Sequence, residues 1–142
     1  MTQGDIASEN CQLPTHLLLF VVISALAVPL TGRIFASIVL GWECFEVYWG
    51  IVSQKVFVFS ALNLIPAFWW FLAGKLSRRF PYLFWMSYGT GMLFLLYAHG
   101  TIDLQSSSTA VLGFLFYPLY GLGISIISWF VGWVIHHFGL RW

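Results

Sequence analysis

The stretch His16-Leu-Leu-Leu-Phe-Val-Val-Ile-Ser-Ala-Leu-Ala-Val-Pro-Leu30 carries no charge, and it lies inside an interval, Asn10 to Gly32, that is uncharged for 23 residues. About 20 apolar residues at 1.5 Å each take a helix across hydrocarbon, so this stretch reads as a membrane crossing. The other uncharged intervals face the same test. Val56 to Gly74 spans 19 residues, Phe80 to Ile102 spans 23 and Leu104 to Leu140 spans 37. The last opens with the polar run Gln105-Ser-Ser-Ser-Thr109, a turn and helix cap, which leaves room for one crossing. Four spans are expected, at about 14–32, 56–74, 81–99 and 109–136.

Composition points the same way. Of 142 residues, 60% are apolar and 20% aromatic, and 8% are charged, six Lys or Arg against five Asp or Glu. Globular domains carry about 25% charged residues, so this chain cannot clothe a compact body in solvated surface. Nucleic-acid binding is excluded because no basic stripe exists. A disulfide scaffold is excluded because Cys11 and Cys44 are the only cysteines, and disorder because the chain is too apolar. The fold class expected is an all-α membrane protein, a single-domain four-transmembrane-helix bundle.

Ala25-Leu26-Ala27 resembles a signal cleavage site. Asp5 and Glu9, with no Lys or Arg before the apolar run, give the wrong charge for a signal, and Pro29 follows the would-be cut; retention is expected. Lys75, Arg78 and Arg79 crowd the link between the second and third spans, and Arg141 follows the fourth. On the other side Arg33 and Lys55 are diluted by Glu43 and Glu46. The positive-inside rule then puts both termini in the cytoplasm, in a plasma membrane, with the bacterial inner membrane favoured. Trp69, Trp70, Tyr82, Trp85, Trp133 and Trp142 fall near the inner boundary and Trp42, Tyr48, Trp49 and Tyr97 near the outer one, as aromatic belts do.

Arg33 to Lys55 is too apolar for an exposed loop. Read as a helix from Gly41, it places Trp42, Phe45 and Trp49 on one face and Glu43, Glu46 and Gly50 on the other, an amphipathic interfacial segment at about 34–54. An alternative lets the first helix run through Pro29 to about Leu40, with Arg33 snorkelling to the outer headgroups. Pro66 and Pro118 should kink the second and fourth helices, and Pro81 opens the third.

Helices associate in lipid through small residues. Gly121, Ser125, Ser128 and Gly132 form a seam on the fourth helix; Ser87 and Gly91 continue it on the third, and Ser60, Asn63 and Ala67 on the second. These stripes are expected to face each other. Asn63 is the most polar residue deep in a span, and a hydrogen bond to a hydroxyl or to backbone loosened by Pro66 is its expected role. As a functional alternative, Asn63, Pro66 and Pro118 would line a polar path.

Chemistry finds little purchase. His16 with His136 or His137 could meet a haem only at the rim. His99, Asp103, Glu43 and Glu46 offer metal-ligand atoms but read better as solvated loop residues. There is no nucleophile elbow, no zinc-protease helix, no phosphate loop and no paired intramembrane aspartate. No cofactor, metal or catalytic activity is expected. The leading expectation is a non-enzymatic protein that lies in the bilayer and binds another membrane protein, or itself, through its spans and through Trp42, Glu43, Glu46 and Trp49. It would serve as an accessory subunit of a membrane complex or as an immunity protein against a pore-forming toxin. The alternative is a homo-oligomeric small transporter or channel.

Overall fold

A computed structural model describes residues 15–40, 56–101 and 110–138. These residues are helical apart from short breaks, with no strand among them: α1 (Thr15–Leu40), α2 (Val56–Leu62), α3 (Leu64–Leu76), α4 (Pro81–Thr101) and α5 (Ala110–His137).

The first helix passes both Pro29 and Gly32 and ends at Leu40, so residues 34–40 belong to α1 and not to an interfacial segment. Pro29 denies Ala25 its helical donor. Hydroxyls bind backbone carbonyls around that gap: Thr31 Oγ1 donates to Ala27 O at 2.9 Å and Val28 O at 3.2 Å, and Ser24 Oγ donates to Val21 O at 2.9 Å. Gly32 is not a stop. A Cβ there would stand 3.0 Å from His99 Cβ and 3.1 Å from Leu96 O, so its missing side chain lets α1 lie close to the backbone of α4.

The second rod is interrupted at Asn63 because Pro66 brings no N–H to the Leu62 carbonyl. Asn63 keeps right-handed angles (φ −70°, ψ −7°), and its N–H donates to Ser60 O at 3.1 Å, three residues back. The Ala67 N–H then reaches Asn63 O at 3.4 Å, and α3 resumes. Residues 77–80 turn the chain, with Ser77 N–H on Ala73 O at 2.8 Å and Phe80 N–H on Ser77 O at 2.9 Å. Pro81 takes the first position of α4, where no donor is needed.

Close approaches fix the arrangement. At one end Gly74 meets Leu17 and Phe84, and at the other Gly32 meets His99 and Gly100, so α1 and α4 run parallel. Gly132 faces Leu83, and Gly121 faces Leu95, so α5 runs antiparallel to α4. The end with Lys75, Arg78 and Arg79 is called the basic end below, and the opposite one the far end. Between them Val21, Ala25, Val28, Ala67, Trp70, Phe84 and Leu95 form the buried core.

Apolar side chains also cover the outside: Phe35 is 69% exposed, Ile38 78%, Phe68 70%, Leu93 68% and Ile127 64%. A soluble monomer does not present such a surface to water. Residues 16–35 of α1 and 115–137 of α5 are each long and apolar enough to cross a membrane.

Candidate functional site

The middle of the bundle is closed by indoles bonded to serines. Trp69 Nε1–H donates to Ser87 Oγ at 3.0 Å, and Ser87 Oγ–H donates on to the Ser125 carbonyl at 2.8 Å. Trp70 Nε1–H donates to Ser125 Oγ at 3.0 Å. Nearer the basic end, Trp129 Nε1–H donates to Ser77 Oγ at 2.7 Å, and Thr90 Oγ1 lies 2.9 Å from Ser128 Oγ. These bonds tie α3, α4 and α5 together, and each contributes about 0.5–1.5 kcal/mol. The Trp69 and Trp129 rings meet edge to face at 6.1 Å, which adds dispersion to the layer.

The small residues make room for it. A Cβ on Gly91 would run into Ser125 Oγ and stand 3.1 Å from Trp70 Cζ2. One on Gly121 would be 2.9 Å from Leu95 Cδ2, and one on Gly132 would be 2.8 Å from Leu83 Cδ2 and 3.2 Å from Met86 Sδ. Gly121, Ser125, Ser128 and Gly132 on α5 therefore face Ser87, Gly91 and their neighbours on α4. On the second rod Asn63 and Ala67 are buried and Ser60 is half-buried.

One tryptophan expected in the inner belt lies elsewhere. Trp70 has no exposed surface, so it is not a belt residue at a membrane boundary but the centre of the core. The signal was chemical: an indole N–H inside an apolar bundle must find an acceptor, and the facing seams offer serine hydroxyls.

A second group of polar residues lies beyond this layer, toward the far end. Asn63 is two turns, or about 10 Å, from Trp70 along its rod and is wholly buried. Neither Oδ1 nor Nδ2 of its amide has a hydrogen-bond partner, so the bond expected for it is not made within the described residues. Pro66 and Pro118 are both buried. Arg33 is 5% exposed and His99 1%. Arg33 is buried and His99 is not a solvated loop residue; at Gly32, next to Arg33, α1 lies against His99 and Gly100 of α4. The His99 ring lies 6.1 Å from that of Tyr117. Ser37, also buried, donates to Ile34 O at 2.8 Å.

At the basic end His136 packs on Phe80 at 4.0 Å and on Tyr82 at 5.9 Å, and His137 stacks on Trp133 at 5.1 Å. Lys75 Nζ sits 4.6 Å above the Phe71 ring. Among the described residues no three His, Cys, Asp or Glu side chains come together to hold a metal ion. Trp42, Glu43, Glu46, Trp49 and the rest of the amphipathic segment, like Cys11, Cys44 and Asp103, lie outside the described residues. No protein-family model matches the chain, and no curated protein or solved structure is significantly similar to it.

Proposed function

We propose that the chain is a four-span protein of the plasma membrane, the bacterial inner membrane above all, with both termini in the cytoplasm, and that it works without catalysis by binding another membrane protein. Accessory subunit of a membrane complex and immunity protein against a pore-forming toxin are the two roles that fit. The observation that carries this reading is the Trp–Ser layer. Trp69 and Trp70 bond Ser87 and Ser125 in the middle of the bundle, and Trp129 bonds Ser77 nearer the basic end, so this layer serves packing and leaves recognition to surfaces. The outer apolar faces meet lipid or a partner's spans, and Trp42, Glu43, Glu46 and Trp49 supply the aromatic and charged groups that anchor protein contacts.

Photo-crosslinking from positions 42 and 49 in intact membranes, followed by solubilisation in mild detergent, tests the proposal. A defined crosslinked partner that is lost with Trp42→Ala and Trp49→Ala supports it. Recovery of the uncrosslinked chain alone, with no phenotype for either variant, overturns it. The orientation has its own test: a cysteine placed beside Arg78 stays unlabelled by an impermeant thiol reagent added to intact cells, and labelling from outside inverts the topology.

One observation favours a second reading. The unpartnered Asn63 amide beside Pro66 is what a transporter or channel assembled from several copies would place along its path. Flux of ions or small solutes through reconstituted protein that Asn63→Leu abolishes would establish it; absence of flux removes it.

A further inference from the structure

We propose that Asn63 is the floor of an internal hydration site, in which ordered water from the solution at the far end binds the Asn63 carboxamide and the Leu62 carbonyl. The argument is one of satisfaction. Toward the basic end, buried polar side chains are matched inside the protein: Ser87 Oγ accepts from Trp69 and donates to the Ser125 carbonyl, Ser125 Oγ accepts from Trp70, and Ser77 accepts from Trp129. Beyond Trp70 the pattern changes. Asn63 has no exposed surface, yet its donor and its acceptor are both unused, and Pro66 offers no N–H to the carbonyl one residue before it. A buried amide left dry bears its full desolvation cost, so native proteins fill such places with water or an ion.

The chemistry of the surroundings selects water. Among the described residues the charged group buried toward that end is the Arg33 guanidinium, whose charge opposes a cation there. Water matches what is offered: it donates to Asn63 Oδ1 and to the Leu62 carbonyl and accepts from Nδ2–H. Arg33, Ser37 and His99 are buried toward the same end, and the Trp–Ser layer closes the bundle on the inward side. This inference is independent of the partner-binding reading, since it concerns the interior alone.

The chain has two asparagines, Asn10 and Asn63, which makes the test direct. The full chain carrying Asn10→Ser, labelled with [15N]asparagine and held in detergent micelles, gives a single side-chain amide pair for NMR. Cross-peaks between that pair and water are expected; an amide pair with no transfer to water overturns the proposal. Two variants give a crossed readout. Asn63→Leu expels the water and strands the Leu62 carbonyl, lowering Tm by about 4 °C, whereas Asn63→Ala leaves room for water and melts above Asn63→Leu. The opposite order, with leucine the more stable, is the signature of a dry amide and overturns the site. If Asn63→Leu does not accumulate, the cross-peak alone decides.

Discussion

Replacing Gly91 by alanine adds one methyl group where three helices meet. On propensity alone the change stabilises α4 by about 1 kcal/mol. The location reverses the sign. The new Cβ would run into Ser125 Oγ and stand 3.1 Å from Trp70 Cζ2 and 3.2 Å from Trp70 Nε1. To admit it, α5 must retreat or the Trp70 to Ser125 bond of 3.0 Å must break. Overpacking a filled core costs about 1–3 kcal/mol and the lost bond about 1 kcal/mol more, so the net effect is a destabilisation of about 2 kcal/mol.

The control lies two residues away. A Cβ at Gly89 meets nothing within 4 Å, so Gly89→Ala keeps the propensity gain and is neutral or stabilising. Unfolding in mixed detergent, followed by helical circular dichroism and tryptophan fluorescence, measures both. A double-mutant cycle identifies the cause. Ser125→Ala removes the oxygen in the way, so Gly91→Ala should cost about 1 kcal/mol less in that background. Equal stability for Gly91→Ala and Gly89→Ala, or strict additivity with Ser125→Ala, refutes the packing argument.

Other substitutions probe other contacts. Gly32→Val should cost about 3 kcal/mol, because the atoms in its way include the Leu96 carbonyl at 3.1 Å and the Gly100 nitrogen at 3.5 Å, which are backbone and cannot swing aside; thermal unfolding in detergent checks it. Gly121→Ala, opposed by the flexible end of Leu95, should cost about 1 kcal/mol, while Gly123→Ala, with nothing within 4 Å, should not destabilise, and the same melt compares them. Trp129→Phe keeps the ring contact with Trp69 but drops the 2.7 Å bond to Ser77, losing about 1 kcal/mol; hydrogen exchange at residues 77–80 should quicken, and unchanged exchange would show that the indole does not hold the turn.

Much of the helical plan was legible because charge is so scarce. Lys75, Arg78 and Arg79 mark the turn at 77–80, and Pro81 marks the start of α4, since a run of cations ends an apolar interval and proline tolerates only a first turn. Pro66 signalled the break in the second rod, and it appears at Asn63, where proline geometry puts it. The end of α1 at Leu40 was one of the two readings the sequence allowed. Arg33 looks like a boundary in the sequence, yet it lies within α1 and is buried. His99, read as a solvated loop residue, is buried too. The seam of Gly121, Ser125, Ser128 and Gly132 was visible as spacing; its indole partners were not, because Trp69 and Trp70 resemble interfacial residues until the facing serines are known.

On the proposed reading, stability and recognition occupy different parts of this chain. Where Trp69, Trp70 and Trp129 meet Ser87, Ser125 and Ser77, the donors find acceptors, and the glycines that admit those contacts leave no space to spare. A site so filled cannot open for a ligand without breaking bonds that hold three helices together, so a moving part there would cost most of the small stability such a bundle has. Toward the far end the Asn63 amide is unmatched and a charge is buried at Arg33. An unmatched amide kept in an apolar fold at a cost marks a place where water, a ligand or a partner supplies the missing interaction. The far end, continuous with α1 where it leaves the described structure at Leu40, is where substitutions should alter function before they alter folding, whereas around Gly91 and Ser125 the two should fail together.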